Sequence, residues 1–209
     1  MKKLFIFVVT LMLSIGYSQS KGALLDDQIP QEPQRAEDLM NQLIMKMSSE
    51  DNIEELTKIR SQFNELMLIK PSLKKKSIIV SREYSTEGGD LNYFIDENEN
   101  VLIVDAEFLG ESGRWEEEYY YYNDSLFFLH SVRGAYNSPI YWETFDMNKT
   151  TYYANQYYFH NGSLIIWLNQ DGVEVSRDSE EFDEKQKSKW EESQELLTKY
   201  HITDWQSID

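Results

Sequence analysis

Between Lys76 and Val175 the chain alternates short β-prone segments with turns, and this alternation constrains the fold more than any other feature. β-Branched and aromatic residues dominate the segments, and turn residues recur about every eight to twelve positions. Asn161-Gly162 is a strong hairpin signal, because both positions of a two-residue turn need positive φ. The pattern predicts an antiparallel meander of about seven strands, at 77–85, 90–96, 101–109, 115–122, 125–133, 151–160 and 163–169.

An internal repeat lies within this region. An aromatic strand, a polar turn and an aliphatic strand follow one another three times, over 93–104, 120–129 and 157–167. Their irregular spacing argues against a solenoid or propeller, which needs a fixed period. A single twisted meander fits better.

Helical periodicity brackets the β-rich region. Apolar residues recur at helical spacing from Ala36 to Ile69, with a break at 48–51 that offers an N-cap. A third helix is expected to begin at Asp178–Glu181, where a capping serine meets an acidic first turn. The predicted fold class is α+β: an N-terminal helical hairpin, an antiparallel β-meander, and a C-terminal helix on one face. One side of the sheet should carry the helices and the other should be partly exposed to water.

The first 20 residues indicate export. Lys2-Lys3 precedes an apolar run, Leu4–Ile15, that is too short to span a bilayer, and a small-polar segment follows it. We therefore expect a signal peptide at 1–20, a flexible tether at 21–35 and a single α+β domain at 36–209. The expected location is the periplasm or the extracellular space.

Composition narrows the function classes. The chain has no cysteine, which excludes disulfides, thiolate metal sites and a cysteine nucleophile. Its formal net charge is -17, and cleavage that removes Lys2 and Lys3 takes it to -19. Such a surface repels nucleic acid and anionic lipids. A protein or glycan partner is expected, with no nucleic acid, no cofactor and no membrane insertion after cleavage.

The three Tyr-rich hairpins, behind a signal segment ending in Tyr17-Ser18-Gln19, resemble those of a loose set of uncharacterised exported bacterial proteins. The resemblance covers the signal segment and the hairpins. It implies an exported β-rich protein and supplies no functional residues.

Strand 115–122 carries the candidate binding residues. Successive side chains of a strand point to opposite faces, so Glu116, Glu118, Tyr120 and Tyr122 share one face. Burying unpaired carboxylates costs several kcal/mol, so this set is expected on an open face. The opposite set, expected in the core, contains Tyr119 and Tyr121. Glu117 belongs to the same set, and it fits this assignment poorly because it is a carboxylate.

An open face of aromatic rings and carboxylates predicts a non-enzymatic exported binding protein, because such surfaces stack sugars or anchor protein partners. One alternative is a carbohydrate-directed protein or glycoside hydrolase that uses Glu116 or Glu118, since paired carboxylates perform acid-base chemistry in glycosidases. Another is an accessory of cell-envelope assembly. Ordinary cross-strand pairing also explains many of the aromatics.

A candidate calcium loop runs from Asp96 to Glu107, with oxygen-bearing side chains at alternate positions. Val101 occupies the position where a calcium loop needs glycine, and strands flank the loop on both sides. We therefore predict a polar hairpin turn. The three histidines lack metal-ligand spacing, so no metal site is expected.

Overall fold

The computed structural model describes residues 53–82 and 85–205. It shows an α+β fold in which one antiparallel sheet lies between two helices. The seven strands follow one another across the sheet in chain order, which confirms the expected meander. They are β1 (Lys74–Val80), β2 (Gly89–Ile95), β3 (Val101–Gly110), β4 (Gly113–Tyr122), β5 (Ser125–Ala135), β6 (Thr151–His160) and β7 (Ser163–Leu168).

Two of the hairpin connections are two-residue turns with positive φ at both central positions. Asn123 and Asp124 join β4 to β5 with φ values of 50° and 58°, and Asn161 and Gly162 join β6 to β7 with φ values of 50° and 79°. Positive φ at both central positions matches the right-handed twist of the flanking strands, and asparagine, aspartate and glycine tolerate it best.

The C-terminal helix, α2 (Glu180–Ile202), covers one face of the sheet. The Ser179 side chain caps its start by accepting a hydrogen bond from the Phe182 amide. Two tyrosines of the sheet donate hydrogen bonds to backbone carbonyls of α2. The Tyr93 hydroxyl donates to the Leu196 carbonyl at 3.2 Å, and the Tyr121 hydroxyl donates to the Ser193 carbonyl at 3.1 Å.

The N-terminal helix, α1 (Ile53–Ile69), covers the opposite face. Its buried residues Leu56, Ile59, Phe63 and Leu66 recur at helical spacing and form one apolar stripe. The Phe63 ring lies 5.0 Å from that of Tyr120 between centroids. The preceding helix of the predicted hairpin, with the signal peptide and tether, falls on residues outside the described ranges.

The expectation that both helices share one side of the sheet is wrong, because α1 and α2 lie on opposite faces. The alternation of apolar residues shows which side chains share a face but not whether a distant helix covers that face. Each face of this sheet carries enough apolar and aromatic residues to form a core of its own.

Coverage by the helices is incomplete near the β3–β4 turn. Trp115 is 40% exposed on the α2 side, and the Glu116 side chain is 39% exposed on the α1 side. Each face thus has an uncovered part beside its helix, and the candidate sites lie there. Among the helices of the described ranges, none has both the length and the apolar character that crossing a membrane requires.

Candidate functional site

A cavity of about 350 Å³ lies between the α2 face of the sheet and the side of α2. We call it the sheet–helix cavity. Strands β1 to β4 form its floor, and α2 forms its wall. Its lining consists of Val80, Leu91, Phe108, Trp115, Glu117, Tyr119, Lys189, Glu192, Glu195, Leu196 and Lys199.

Two simple periodicities place these side chains together. Trp115, Glu117 and Tyr119 alternate along β4 and therefore project from the same face of the sheet. Lys189 and Leu196 lie about two turns apart on α2, so they share one side of the helix. The cavity thus combines an apolar floor with a charged helical edge.

The centre of the charged edge is a buried ion pair. The Lys189 ammonium donates to Glu117 at 2.8 Å and to Glu192 at 2.7 Å. Glu117 also accepts hydrogen bonds from the Ser131 and Tyr119 hydroxyls. The side chains of Lys189 and Glu117 are only 12% and 8% exposed, so this pair joins α2 to β4 away from water.

The pair keeps both of its groups charged. Burial raises the pKa of Glu117, but the Lys189 ammonium and the hydroxyl donors outweigh it, and the pKa lies below its ordinary value. Burial lowers the pKa of Lys189, but Glu117 and Glu192 outweigh it, and the pKa lies above its ordinary value. At neutral pH the cavity therefore presents a carboxylate and an ammonium group.

The sequence-predicted residues Glu116 and Glu118 lie on the α1 side of β4, across the sheet from the sheet–helix cavity. Glu116 forms an ion pair with Arg114. Burial raises the pKa of Glu118, but hydrogen bonding to His130 and the charge of Lys70 outweigh it, so the pKa lies below its ordinary value. The side chains of Glu116 and Glu118 are 39% and 34% exposed, on a face that was expected to be open.

Like charges face each other across this part of the sheet. Asp105 lies opposite Glu118, and Glu107 lies opposite Glu116, in the register of β3 and β4. Burial raises the pKa of Asp105 despite the charge of Lys70. Directly opposed like charges destabilise a sheet. We call these four carboxylates the acidic face.

The predicted tyrosines divide differently. Tyr119 and Tyr121 are buried on the α2 side, as expected. Tyr120 projects to the other side, but it is only 1% exposed because Phe63 of α1 covers it. The prediction that Tyr120 lies on an open surface is therefore wrong. Tyr122 is 49% exposed at the end of β4 next to the Asn123 turn.

The Asp96 loop forms a hairpin turn. The Asp96 carboxylate accepts hydrogen bonds from the Asn98 and Asn100 amides at 2.8 and 2.9 Å. These bonds stabilise the turn in the way that aspartate commonly does. Within residues 53–82 and 85–205, no three His, Asp or Glu side chains form a group that could hold a metal ion.

Sequence reasoning missed the α2 side of the cavity. The sequence did not suggest Lys189, Glu192 or Glu195 as site residues, because charged residues in a helical segment usually indicate a solvent-exposed face. One signal was present in β4, where Glu117 shares the face of Tyr119. A carboxylate at a core-facing position implies a buried cation from elsewhere in the fold.

No protein-family model, curated protein or solved structure matches this chain. The resemblance to exported proteins with Tyr-rich hairpins therefore stays a prediction.

Proposed function

We propose that this chain is an exported, non-enzymatic binding protein that holds a small organic molecule with an apolar body in the sheet–helix cavity. The cavity itself is the observation that carries the proposal. Its volume of about 350 Å³ lies in the range of small-molecule sites, and such sites combine apolar walls with a few polar groups. Leu91, Phe108 and Leu196 supply apolar walls here.

The charged groups of the cavity support binding rather than catalysis. A general acid or base works best with a pKa near the working pH, and a nucleophilic lysine needs a lowered pKa. The net shifts in this site go the other way, because the pKa of Glu117 is lowered and that of Lys189 is raised.

The proposal keeps the binding class predicted from the sequence but places the site in the sheet–helix cavity. On the acidic face, Tyr120 cannot serve as an open ring beside Glu116 and Glu118, because α1 covers it. Tyr122 lies four residues or more from either carboxylate along β4, beside the turn at the other end. A site in the periplasm or outside the cell follows from the signal peptide expected at 1–20.

A carbohydrate-binding protein is the second candidate, because the half-exposed ring of Trp115 lies beside the carboxylates of the cavity. Aromatic rings with nearby carboxylates are common features of sugar sites. Hydrolysis by Glu116 or Glu118 has less support, since both lie on the opposite face of β4 from Trp115.

The test is isothermal titration calorimetry, in which phenethyl alcohol, a small neutral aromatic probe, is titrated into the purified protein and the heat of binding is measured. We expect saturable binding to the native chain. Leu196→Trp should abolish it, because the larger ring fills the cavity. Ile202→Trp, at a 77% exposed position of the same helix, is the matched control and should bind normally. Equal binding by the two variants would contradict the proposed site, and saturable binding of a monosaccharide instead of the alcohol would favour the second candidate.

A further inference from the structure

We infer that the sheet–helix cavity selects a cationic ligand: a small organic amine whose ammonium group lies at the α2 edge and whose apolar body lies on the sheet. This inference rests on the proposed function and adds the charge of the ligand to it. Three observations lead to it, namely the net charge of the lining, the positions of its unused acceptor atoms, and the apolar floor beside them.

The lining carries an excess of negative charge. Its carboxylates are Glu117, Glu192 and Glu195, and its ammonium groups are Lys189 and Lys199. One elementary negative charge is left over, which a single monovalent cation neutralises. The whole chain adds to this preference, because its formal net charge of -17 attracts cations at long range.

The carboxylates of the α2 edge have unused acceptor capacity. Glu192 accepts from Lys189 through Oε2, and its Oε1 receives no hydrogen bond from a described residue. Glu195, one turn farther along α2, has no hydrogen bond or ion pair with any residue in the described ranges. An ammonium group has three donors and can use both side chains.

An anionic ligand fits the same edge poorly. Lys189 has one proton beyond its two hydrogen bonds, but a ligand carboxylate that accepted it would lie beside Glu117 and Glu192. Like charges in a partly desolvated site repel strongly. The buried pair thus occupies most of the hydrogen-bonding capacity of Lys189.

The floor of the cavity suits the remainder of such an amine. Val80, Leu91 and Phe108 offer apolar surface, and the Trp115 ring is half-exposed beside them. The Arg133 guanidinium lies 5.4 Å from the Trp115 ring and already makes a cation–π contact with it, so the ammonium group of the ligand belongs at the α2 edge and not on this ring. An aromatic or aliphatic amine therefore matches both parts of the site.

The experiment compares three probes of similar size: phenethylamine, phenethyl alcohol and phenylacetate. Calorimetry on the full chain, at low and at physiological ionic strength, measures each affinity. We expect the amine to bind about tenfold more tightly than the alcohol, because its hydrogen bond to a carboxylate has a charge on both partners, and phenylacetate to bind weakest. Added salt should weaken amine binding more than alcohol binding.

Two variants distinguish a local carboxylate from general charge. Glu195→Gln should weaken amine binding about two- to fivefold and leave alcohol binding unchanged, because an edge carboxylate contributes modestly. Glu191→Gln changes the net charge equally from an exposed position of α2 outside the cavity, and it should bind both probes normally.

The outcomes separate the two claims. Equal affinities for the amine and the alcohol would leave the proposed binding site intact and overturn the selection of cations. Tightest binding of phenylacetate, or equal losses in Glu195→Gln and Glu191→Gln, would overturn it as well. Failure of all three probes to bind at millimolar concentration would overturn the proposed function together with this inference.

Discussion

Removal of the Lys189 ammonium should destabilise the fold far more than removal of its partner's charge. In Lys189→Met, the Glu117 carboxylate stays buried and keeps only the Ser131 and Tyr119 hydroxyls as donors. Breaking a buried pair from one side typically costs about 3 to 5 kcal/mol. Because two hydroxyl donors remain, we expect a loss of about 3 kcal/mol in the free energy of unfolding.

Removal of the Glu117 charge should lower the free energy of unfolding by less than removal of the Lys189 ammonium. In Glu117→Gln, Lys189 keeps Glu192 as a partner, and that carboxylate is 43% exposed to water. We expect a loss of about 1 to 2 kcal/mol, typical of one impaired hydrogen-bonded contact. The double variant leaves no unpaired buried carboxylate, so it should be more stable than Lys189→Met alone. Such non-additivity is the signature of direct coupling.

The dependence on pH provides an independent check. In the native chain the lowered pKa of Glu117 gives stability that is present above its ordinary value of 4.5 and is lost as the pH falls through the folded-state pKa. In Lys189→Met, burial without the ammonium should raise that pKa. The carboxyl group then takes up a proton as the pH falls from 7 towards 5, and the stability gap to the native chain should narrow.

Urea unfolding at several pH values measures all of these quantities. Lys187→Met, at an exposed position of α2, is the matched control and should change stability by less than about 0.5 kcal/mol. A loss below about 1 kcal/mol in Lys189→Met, or a gap that widens as the pH falls, would refute the buried ion pair.

Three further predictions concern other parts of the chain. Phe63→Ala should cost about 3 to 5 kcal/mol in urea unfolding, because the ring is 1% exposed against Tyr120; a loss under about 1 kcal/mol would contradict the packing of α1. Glu107→Gln should raise stability by about 0.5 kcal/mol at pH 7, because burial, with the repulsion of Glu116, outweighs the Arg114 ion pair and raises the pKa of Glu107; the gain should vanish below about pH 4, and a loss at pH 7 would contradict the reasoning. N-terminal sequencing of exported protein should find cleavage near Gln19, and an intact Met1 would refute export by this signal.

The sheet was predictable because its signals are local. Turn residues such as Asn161-Gly162 mark the hairpins, and the alternation along each strand separates its two faces. The same alternation placed Tyr119 and Tyr121 together in the core. Strand β1 was less well placed, since Lys74–Val80 begins earlier than the expected 77–85 and lies at the edge of the sheet. Edge strands often carry lysines, which weaken the apolar pattern.

The site was not predictable because its parts come from distant elements. Tyr120 is buried only because α1 crosses its face, and no pattern in β4 contains that information. Glu117 is tolerated in the core only because Lys189, 72 residues later, lies against it. A carboxylate at a buried position indicates that a cationic partner lies nearby, but the sequence of β4 does not show which residue that partner is.

The central claim is that the sheet–helix cavity receives a small apolar ligand, and methyl NMR tests it most directly. With phenethyl alcohol at saturation, the methyl resonances of Val80, Leu91 and Leu196 should shift, because these side chains line the cavity. Those of Ile103 and Ile166, in the core beneath α1, should stay in place. Shifts confined to Ile103 and Ile166, or no shift of the three cavity residues, would contradict the account.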